Sequence, residues 1–310
     1  MSGPLIALTG ATGFIGRHLL KTLSAKGFRV RVLLRRPIEV PEGASGAVVG
    51  DLTRPMNMAA ALAGVDAVVH SAGLAHAMSG APEDDYRSSN TDATRRLGEA
   101  AAKAKVRRFV FLSSIRAQTG PSAEGVVRET DTPAPTDAYG RSKLEAERAL
   151  SEIGIDWVAL RPVLVYGEGV KGNMAALLKL AATPYPLPLA SIRGRRSLVS
   201  LDGLSDAVAA VLTTSAPLAR PLVVAEPDPL TLPEMITALR LGYGRQAGLL
   251  PCPEAALRLA GRLTGREEAF TRIAADLMVQ PEGILALGWT PRRTSRDGLA
   301  ALARSMVTSA

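Results

Sequence analysis

Leu5-Ile6-Ala7-Leu8-Thr9-Gly10-Ala11-Thr12-Gly13-Phe14-Ile15-Gly16 is the stretch on which the reading of the fold turns. A short apolar run ends in three glycines spaced three apart, and a helical pattern follows to about residue 26. Each glycine answers a different steric demand in a strand–turn–helix unit. Gly10 suits the tight turn, Gly13 lets the backbone approach a pyrophosphate, and Gly16 lets the helix pack close to the sheet. The first N–H groups of that helix have no partner within it and face the same place, which favours an anion.

Outward from this unit, short β-branched runs alternate with longer amphipathic ones. The strand-like runs are 5–9, 30–34, 47–49, 67–70, 109–113 and 157–160, with helical patterns at about 14–26, 57–63, 89–104 and 138–153. That alternation predicts an α/β chain, a Rossmann-type doubly wound parallel sheet. After Pro162 the texture changes: residues 163–196 are rich in Gly and Pro, including Pro184-Tyr185-Pro186-Leu187-Pro188. A strand at 198–201 and a helix at 203–212 return to the main domain, and a strand-like piece at 222–225 precedes a mostly helical remainder. The expected division is an NAD(P)-binding domain of residues 1–165 plus about 197–216. A smaller, mixed and mostly helical substrate-binding portion takes about 166–196 and 217–310.

Composition narrows the function classes. With 37 basic and 29 acidic residues the chain carries a formal +8, which suits anionic partners. The basic residues come singly or in pairs, and aromatics are 4%. Nucleic-acid binding, which needs a clustered basic footprint and stacking rings, is not expected. Three histidines (His18, His70, His76) and the lone Cys252 offer no zinc site. One cysteine fits a reducing compartment, no apolar run has the roughly 20 residues of a spanning helix, and no leader pattern precedes Leu5. The expectation is a cytoplasmic protein without membrane insertion.

A second constellation carries chemistry. Phe111-Leu112-Ser113-Ser114 ends a strand, and Tyr139-Gly140-Arg141-Ser142-Lys143 begins a helix. Tyr139 and Lys143, four apart, share a helical face. A free phenol titrates near 10, so it needs a nearby cation to work as acid or base at neutral pH, and Lys143 is placed to be that cation. Ser114 can orient a reacting oxygen toward Tyr139, with Ser113 a weaker candidate for the same role.

The Gly-x-x-Gly-x-x-Gly turn, followed in order by Ser114, Tyr139 and Lys143, resembles the extended short-chain dehydrogenase/reductase superfamily, the NAD-dependent epimerase/dehydratase family. Within it the chain resembles UDP-sugar 4-epimerases and 4-ketoreductases. The 25 residues from Ser114 to Tyr139 match that family's spacing. The resemblance implies Ser114, Tyr139 and Lys143 as the catalytic set, with proton transfer by Tyr139 beside hydride transfer at a nicotinamide. It implies cofactor contacts from Gly10, Thr12, Gly13, Phe14, Ile15 and Gly16, from Asp51 and Leu52 at the adenine, and from Ser71, Ala72 and Gly73 after the fourth strand. Asn90 would steady the strands around the site and Pro162 would lie by the nicotinamide amide; Tyr139 and Lys143 would also touch the cofactor.

At the end of the second strand an NAD-preferring relative would show an acidic residue for the ribose hydroxyl. Here Leu33-Leu34 is followed by Arg35 and Arg36, which suit a 2′-phosphate and favour NADP(H) over NAD(H). On the substrate side the resemblance implies His76 and Ser114 near the sugar and Asn173 and Arg196 at a diphosphate, so a UDP-linked sugar as substrate and a homodimer as assembly. Sugar dehydratases carry an acidic pair directly after the catalytic serine or threonine. This chain has Ile115-Arg116, so elimination is not expected. A reductase of a non-nucleotide carbonyl and a non-catalytic NADP(H)-binding sensor or scaffold remain the alternatives.

Overall fold

Strands that are apolar on both faces are stable only in a sheet covered on both sides, and the residues around the Gly turn meet that condition. The computed structural model describes residues 3–74, 81–263 and 275–308. In chain order its strands are β1 (Leu5–Thr9), β2 (Arg29–Leu34), β3 (Ala44–Val48), β4 (Ala67–His70), β5 (Arg108–Leu112), β6 (Val126–Val127), β7 (Trp157–Pro162), β8 (Leu164–Tyr166), β9 (Arg195–Arg196), β10 (Leu198–Ser200), β11 (Arg220–Val224), β12 (Leu230–Thr231) and β13 (Met278–Val279). The helices used below are α1 (Phe14–Ala25), α2 (Met58–Leu62), α3 (Glu83–Tyr86), α4 (Ala93–Lys103), α5 (Ala138–Glu152), α6 (Gly172–Ala181), α7 (Leu201–Thr213) and α8 (Leu232–Gly242).

Seven strands form one parallel sheet in the order β11-β7-β5-β4-β1-β2-β3. The order reverses at β1, whose Thr9 pairs with Leu33 of β2 on one side and His70 of β4 on the other. Ligands of such sheets bind outside the carboxyl ends of the strands at that reversal. Alternation along β1 sends Ile6 and Leu8 into one core with Leu19 and Leu23 of α1 and Val208 and Val211 of α7. Ala7 goes to the opposite core, with Leu97 of α4, Phe109 and Phe111 of β5, and Leu150 of α5. A third core, of Tyr166, Met174, Leu178, Met235, Leu239 and Leu299, joins α6, α8 and the helix Ser295–Thr308.

Three sequence expectations need correction. Residues 220–224, assigned above to the substrate-binding portion, are the seventh strand of the main sheet, paired with β7 from Arg220↔Val158 to Val224↔Pro162. They lie at the sheet edge, where Pro221 is tolerated because an edge strand leaves N–H groups unpaired. The third strand is Ala44–Val48, not 47–49. The helix expected from residue 89 starts at Glu83, after Pro82, and passes through a π-helical segment, Arg87–Asp92, before α4. Among the described residues no helix is long and apolar enough to cross a membrane.

Candidate active site

At the carboxyl end of β1 the glycines are demanded by contact. Gly10 has φ +71°, and a Cβ there would sit 2.7 Å from the Ala72 nitrogen. A Cβ on Gly16 would overlap the Gly10 carbonyl. Gly13 donates its N–H to that carbonyl at 2.9 Å and is the N-cap of α1, with no side chain capping the helix. The turn opens into a cavity of about 490 Å³ bounded by residues 9–12, 33–36, 49–53 and 72–74, with Ile38, Ser89 and Ala93. An uncapped helix start beside a backbone cradle that any Cβ would fill fits a dinucleotide pyrophosphate.

Of the expected cofactor contacts, Gly10, Thr12, Arg35, Arg36, Asp51, Leu52, Ala72 and Gly73 border this cavity. Gly13 and Gly16 underlie it, while Ile15 packs onto the core beneath α1 and Phe14 is half-buried at the helix start. Ser71 donates its hydroxyl to the Thr9 carbonyl at 2.8 Å, tying the ends of β1 and β4. Pro162 closes β7 and is buried away from the cavity wall. Asp51 accepts both the backbone N–H (2.9 Å) and the hydroxyl (2.8 Å) of Thr53 and pairs with Arg35 at 2.9 Å. The Thr53 N–H, then its hydroxyl, hold the Asp51 carboxyl below its usual range against the pull of burial. Arg35 therefore already has a counterion, whereas Arg36 is exposed at the cavity rim.

Gly73 links the cavity to the second constellation. A Cβ there would meet Asn90 Oδ1 at 2.6 Å and Lys143 Nζ at 3.5 Å. Asn90 stands inside a helix, not at the start expected from the pattern at 89–104. It lies in the π-helical segment and is buried, accepting the Leu74 N–H (2.8 Å) and donating to the Leu74 carbonyl (3.1 Å) and to Ser142 Oγ (3.0 Å). It fastens the chain after β4 to α5, one residue from Lys143.

Ser114 Oγ accepts the Arg116 N–H at 3.2 Å, which leaves its proton to donate, and it hydrogen-bonds the Tyr139 phenol. Lys143 is buried, donates to the Leu112 carbonyl at 2.9 Å, and sits 4.5 Å from the Phe111 ring centre and 6.0 Å from that of Tyr139. Burial pulls its ammonium down to about 8, with Glu147 opposing. In the balance of the protein's own groups the phenol stands above its free value, not below it. Burial lifts the phenol to about 12; the Ser114 hydroxyl and then Arg116 pull it down, while Asp137 pushes it up. Desolvation of the phenolate outweighs the hydrogen bond from Ser114 and the charge of Arg116.

Beneath lies a support that the sequence reading did not single out. Ser113 donates to Glu147 at 2.5 Å, so it faces away from Ser114's partner. Arg161 grips Glu147 through Nε (3.0 Å) and Nη2 (2.5 Å) and also donates to Gln118, all in the dry interior. The available signal was the position of Glu147, four residues after Lys143 on the inward face of α5. His70 is structural: Thr9 Oγ1 lies 2.7 Å from Nδ1 and Thr94 Oγ1 3.0 Å from Nε2, and burial brings the imidazole down to about 3.

On the substrate side, Arg196 is half-buried and donates to the carbonyls of Ala275 (3.1 Å) and Pro121 (3.0 Å). Burial, then the neighbouring Arg116, bring it down to about 10. Asn173 is exposed in the first turn of α6. His76 lies outside the described residues. Trp289 is buried and donates to the Gly203 carbonyl at 3.0 Å, a structural contact.

Comparison with known proteins places this geometry in context. Residues 6–224 match the NAD dependent epimerase/dehydratase family. A UDP-glucose 4-epimerase of Vibrio cholerae is 32% identical over 97% of this chain and 95% of its own length. A ceramide reductase of Caulobacter vibrioides is 28% identical over 93% of this chain and 86% of its own. Among solved structures, MoeE5 in complex with UDP-glucuronic acid and NAD superposes with a TM-score of 0.77. It is 26% identical and the match covers 99% of this chain and 100% of that one.

Proposed function

The chain belongs to the NAD dependent epimerase/dehydratase family, and from that premise we propose that it is a nicotinamide-dependent enzyme acting at C4 of a UDP-linked sugar, as a 4-ketoreductase or a 4-epimerase. The observation that carries the reading is that Gly73, which borders the Gly-turn cavity, lies beside Asn90 and Lys143, while Ser114 and Lys143 flank Tyr139. Gly10, Thr12 and the N-terminus of α1 would hold the pyrophosphate, and Leu52 and Asp51 would border the adenine. Bound there, the dinucleotide supplies hydride exchange with the substrate carbon.

The protein's own part is proton handling. Ser114 donates a hydrogen bond toward the reacting oxygen and so aligns it with the phenol. Tyr139, as the phenolate, takes the hydroxyl proton when the sugar is oxidised and, as the phenol, returns it when the ketone is reduced. Lys143, charged at neutral pH and fixed by Leu112, supplies the local positive potential. Arg196 and Asn173 are proposed to receive the diphosphate, since a guanidinium and a helix start both suit phosphate oxygens. Arg35 and Arg36 support NADP(H) over NAD(H), and with it the reductase. A homodimer is proposed alongside; the mass in solution tests it.

The test is incubation with a UDP-4-keto sugar and NADPH. Loss of reduced-nicotinamide absorbance without turnover of UDP-glucose supports the reductase. Turnover of UDP-glucose to its C4 epimer without net nicotinamide change supports the epimerase. The likeness to a ceramide reductase favours a second reading, reduction of a non-nucleotide carbonyl. UDP binding separates the two: equally weak binding by wild type and Arg196→Ala defeats the sugar-nucleotide reading.

A further inference from the structure

Arg116 occupies the second of the two slots after Ser114, where sugar dehydratases keep an acidic pair, and nothing in the proposed reaction uses it. Its surroundings assign it work. Ser114 caps the single 3-10 turn Ile115–Ala117 by accepting the Arg116 N–H. The guanidinium of Arg116 reaches across to Asp137 Oδ2. The other carboxylate oxygen, Asp137 Oδ1, accepts the Gly140 N–H at 2.7 Å and caps α5. The Arg116 carbonyl lies so close to Gly140 that a Cβ there would overlap it. Tyr139 thus sits between two residues, Asp137 and Gly140, that are both held against Arg116.

We propose that Arg116 is a positioning residue that couples the strand end bearing Ser114 to the helix start bearing Tyr139, keeps the two hydroxyls in register, and sets the charge beside the phenol. It rests on the reading of Tyr139 as the proton-transferring group.

Two further observations support it. Arg116 Nε and Nη1 are buried and have no hydrogen-bond partner among the described residues. Buried N–H groups left unpaired call for an explanation beyond packing, and a cation in so dry a setting acts more strongly on its neighbours. The charges that face the phenol also come from few elements. Asp137 and Lys143 come from α5 and its cap, Arg116 from the 3-10 turn, and Tyr86 from α3, its ring 6.1 Å from that of Tyr139. Among these, Arg116 lowers the phenol and Asp137 raises it. Removing one must move it opposite to removing the other.

The experiment is the pH dependence of the oxidative rate across about pH 6 to 10 for wild type, Tyr139→Phe, Arg116→Gln, Arg116→Lys, Asp137→Asn and the Arg116→Gln/Asp137→Asn double variant. Substituting Arg116 by Gln should move the midpoint of the limb on which the rate rises with pH up by about one unit, so the neutral rate falls about tenfold. Asn at 137 should move it down, the double variant should return near wild type, and Arg116→Lys should recover most of the rate. KM for the nucleotide substrate should change less than about threefold. A second readout needs no turnover: 13C NMR of labelled tyrosines in nucleotide-free protein, with Tyr139 assigned through Tyr139→Phe, should show the same displacement in Asp137→Asn. Should Arg116→Gln not fold, that downward displacement decides alone.

An equal rate loss at every pH with an unmoved midpoint overturns the proposal, as does a double variant no better than Arg116→Gln. If Tyr139→Phe turns over like wild type, the parent reading fails in its own arm and the proposal falls with it.

Discussion

Lys143→Met should make the protein inactive and more stable. Lys143 is 5% exposed, and burial brings its ammonium from its model-compound value of 10.5 to about 8. That displacement corresponds to about 3 kcal/mol held against the charged form at neutral pH. The sign follows from proton linkage. Between about pH 8 and 10.5 the unfolded chain keeps the lysine proton and the folded one has released it, so wild-type stability rises with pH through that window. Methionine fills similar space without a charge, and Glu147 keeps Arg161 and Ser113 as partners. The Leu112 carbonyl loses its donor, which returns about 1–3 kcal/mol of the gain. The variant should therefore exceed wild type by about 1 kcal/mol at pH 7. Whatever the offset, the difference should shift by about 2 kcal/mol in favour of wild type between pH 7 and 9.5. Urea unfolding followed by tryptophan fluorescence at the two pH values measures it. Parallel stabilities of the two proteins at both values would refute the argument, because they would mean that the folded lysine holds its proton as tightly as the unfolded one.

Other outcomes follow from particular contacts. Gly16→Ala drives a methyl into the Gly10 carbonyl, so dinucleotide affinity should fall at least about tenfold with a lowered Tm, read by calorimetric titration and thermal melting; unchanged binding would mean the turn is not the pyrophosphate cradle. Arg36→Ala should raise KM for NADPH by about tenfold and leave NADH nearly unaffected, whereas Arg35→Ala should do less, because Arg35 is already paired with Asp51. Steady-state kinetics with both dinucleotides tests the order. Ser114→Ala should reduce kcat by about 10²-fold or more with stability kept. Ser113→Ala should reverse that pattern, losing about 1–2 kcal/mol of stability with the rate within a few-fold, since Ser113 is bonded to Glu147.

How far the sequence discloses this molecule depends on whether a feature is local. The Gly turn is legible because no other residue tolerates the approach of Gly10 to Ala72 or of Gly16 to Gly10, and the strands around it are legible because residues buried on both faces leave continuous apolar runs. Tyr139 and Lys143 are legible because a helix fixes the meaning of a four-residue interval. Three features are not local. The edge strand Arg220–Val224 contains Pro221 and lies more than 50 residues beyond β7 in the chain, so its partner β7 could be identified only in three dimensions. Asn90 reads as the opening of a helix until Pro82 is seen to start that helix earlier and a π turn rotates Asn90 inward toward Leu74.

The ionisation of the phenol is the third. Spacing says that an ammonium is near. It does not say how dry the pocket is, nor that the cation is tied to a strand carbonyl beneath the ring while Arg116 and Asp137 flank the hydroxyl with opposite charges. Proximity in sequence therefore brings Tyr139 and Lys143 together but leaves the other charges beside the phenol unseen. A helical face is a one-dimensional fact, whereas desolvation is a property of everything that closes over the ring. That is why the Arg116–Asp137 pair, 21 residues apart and unremarkable in either local pattern, comes to flank the phenol only in the folded chain.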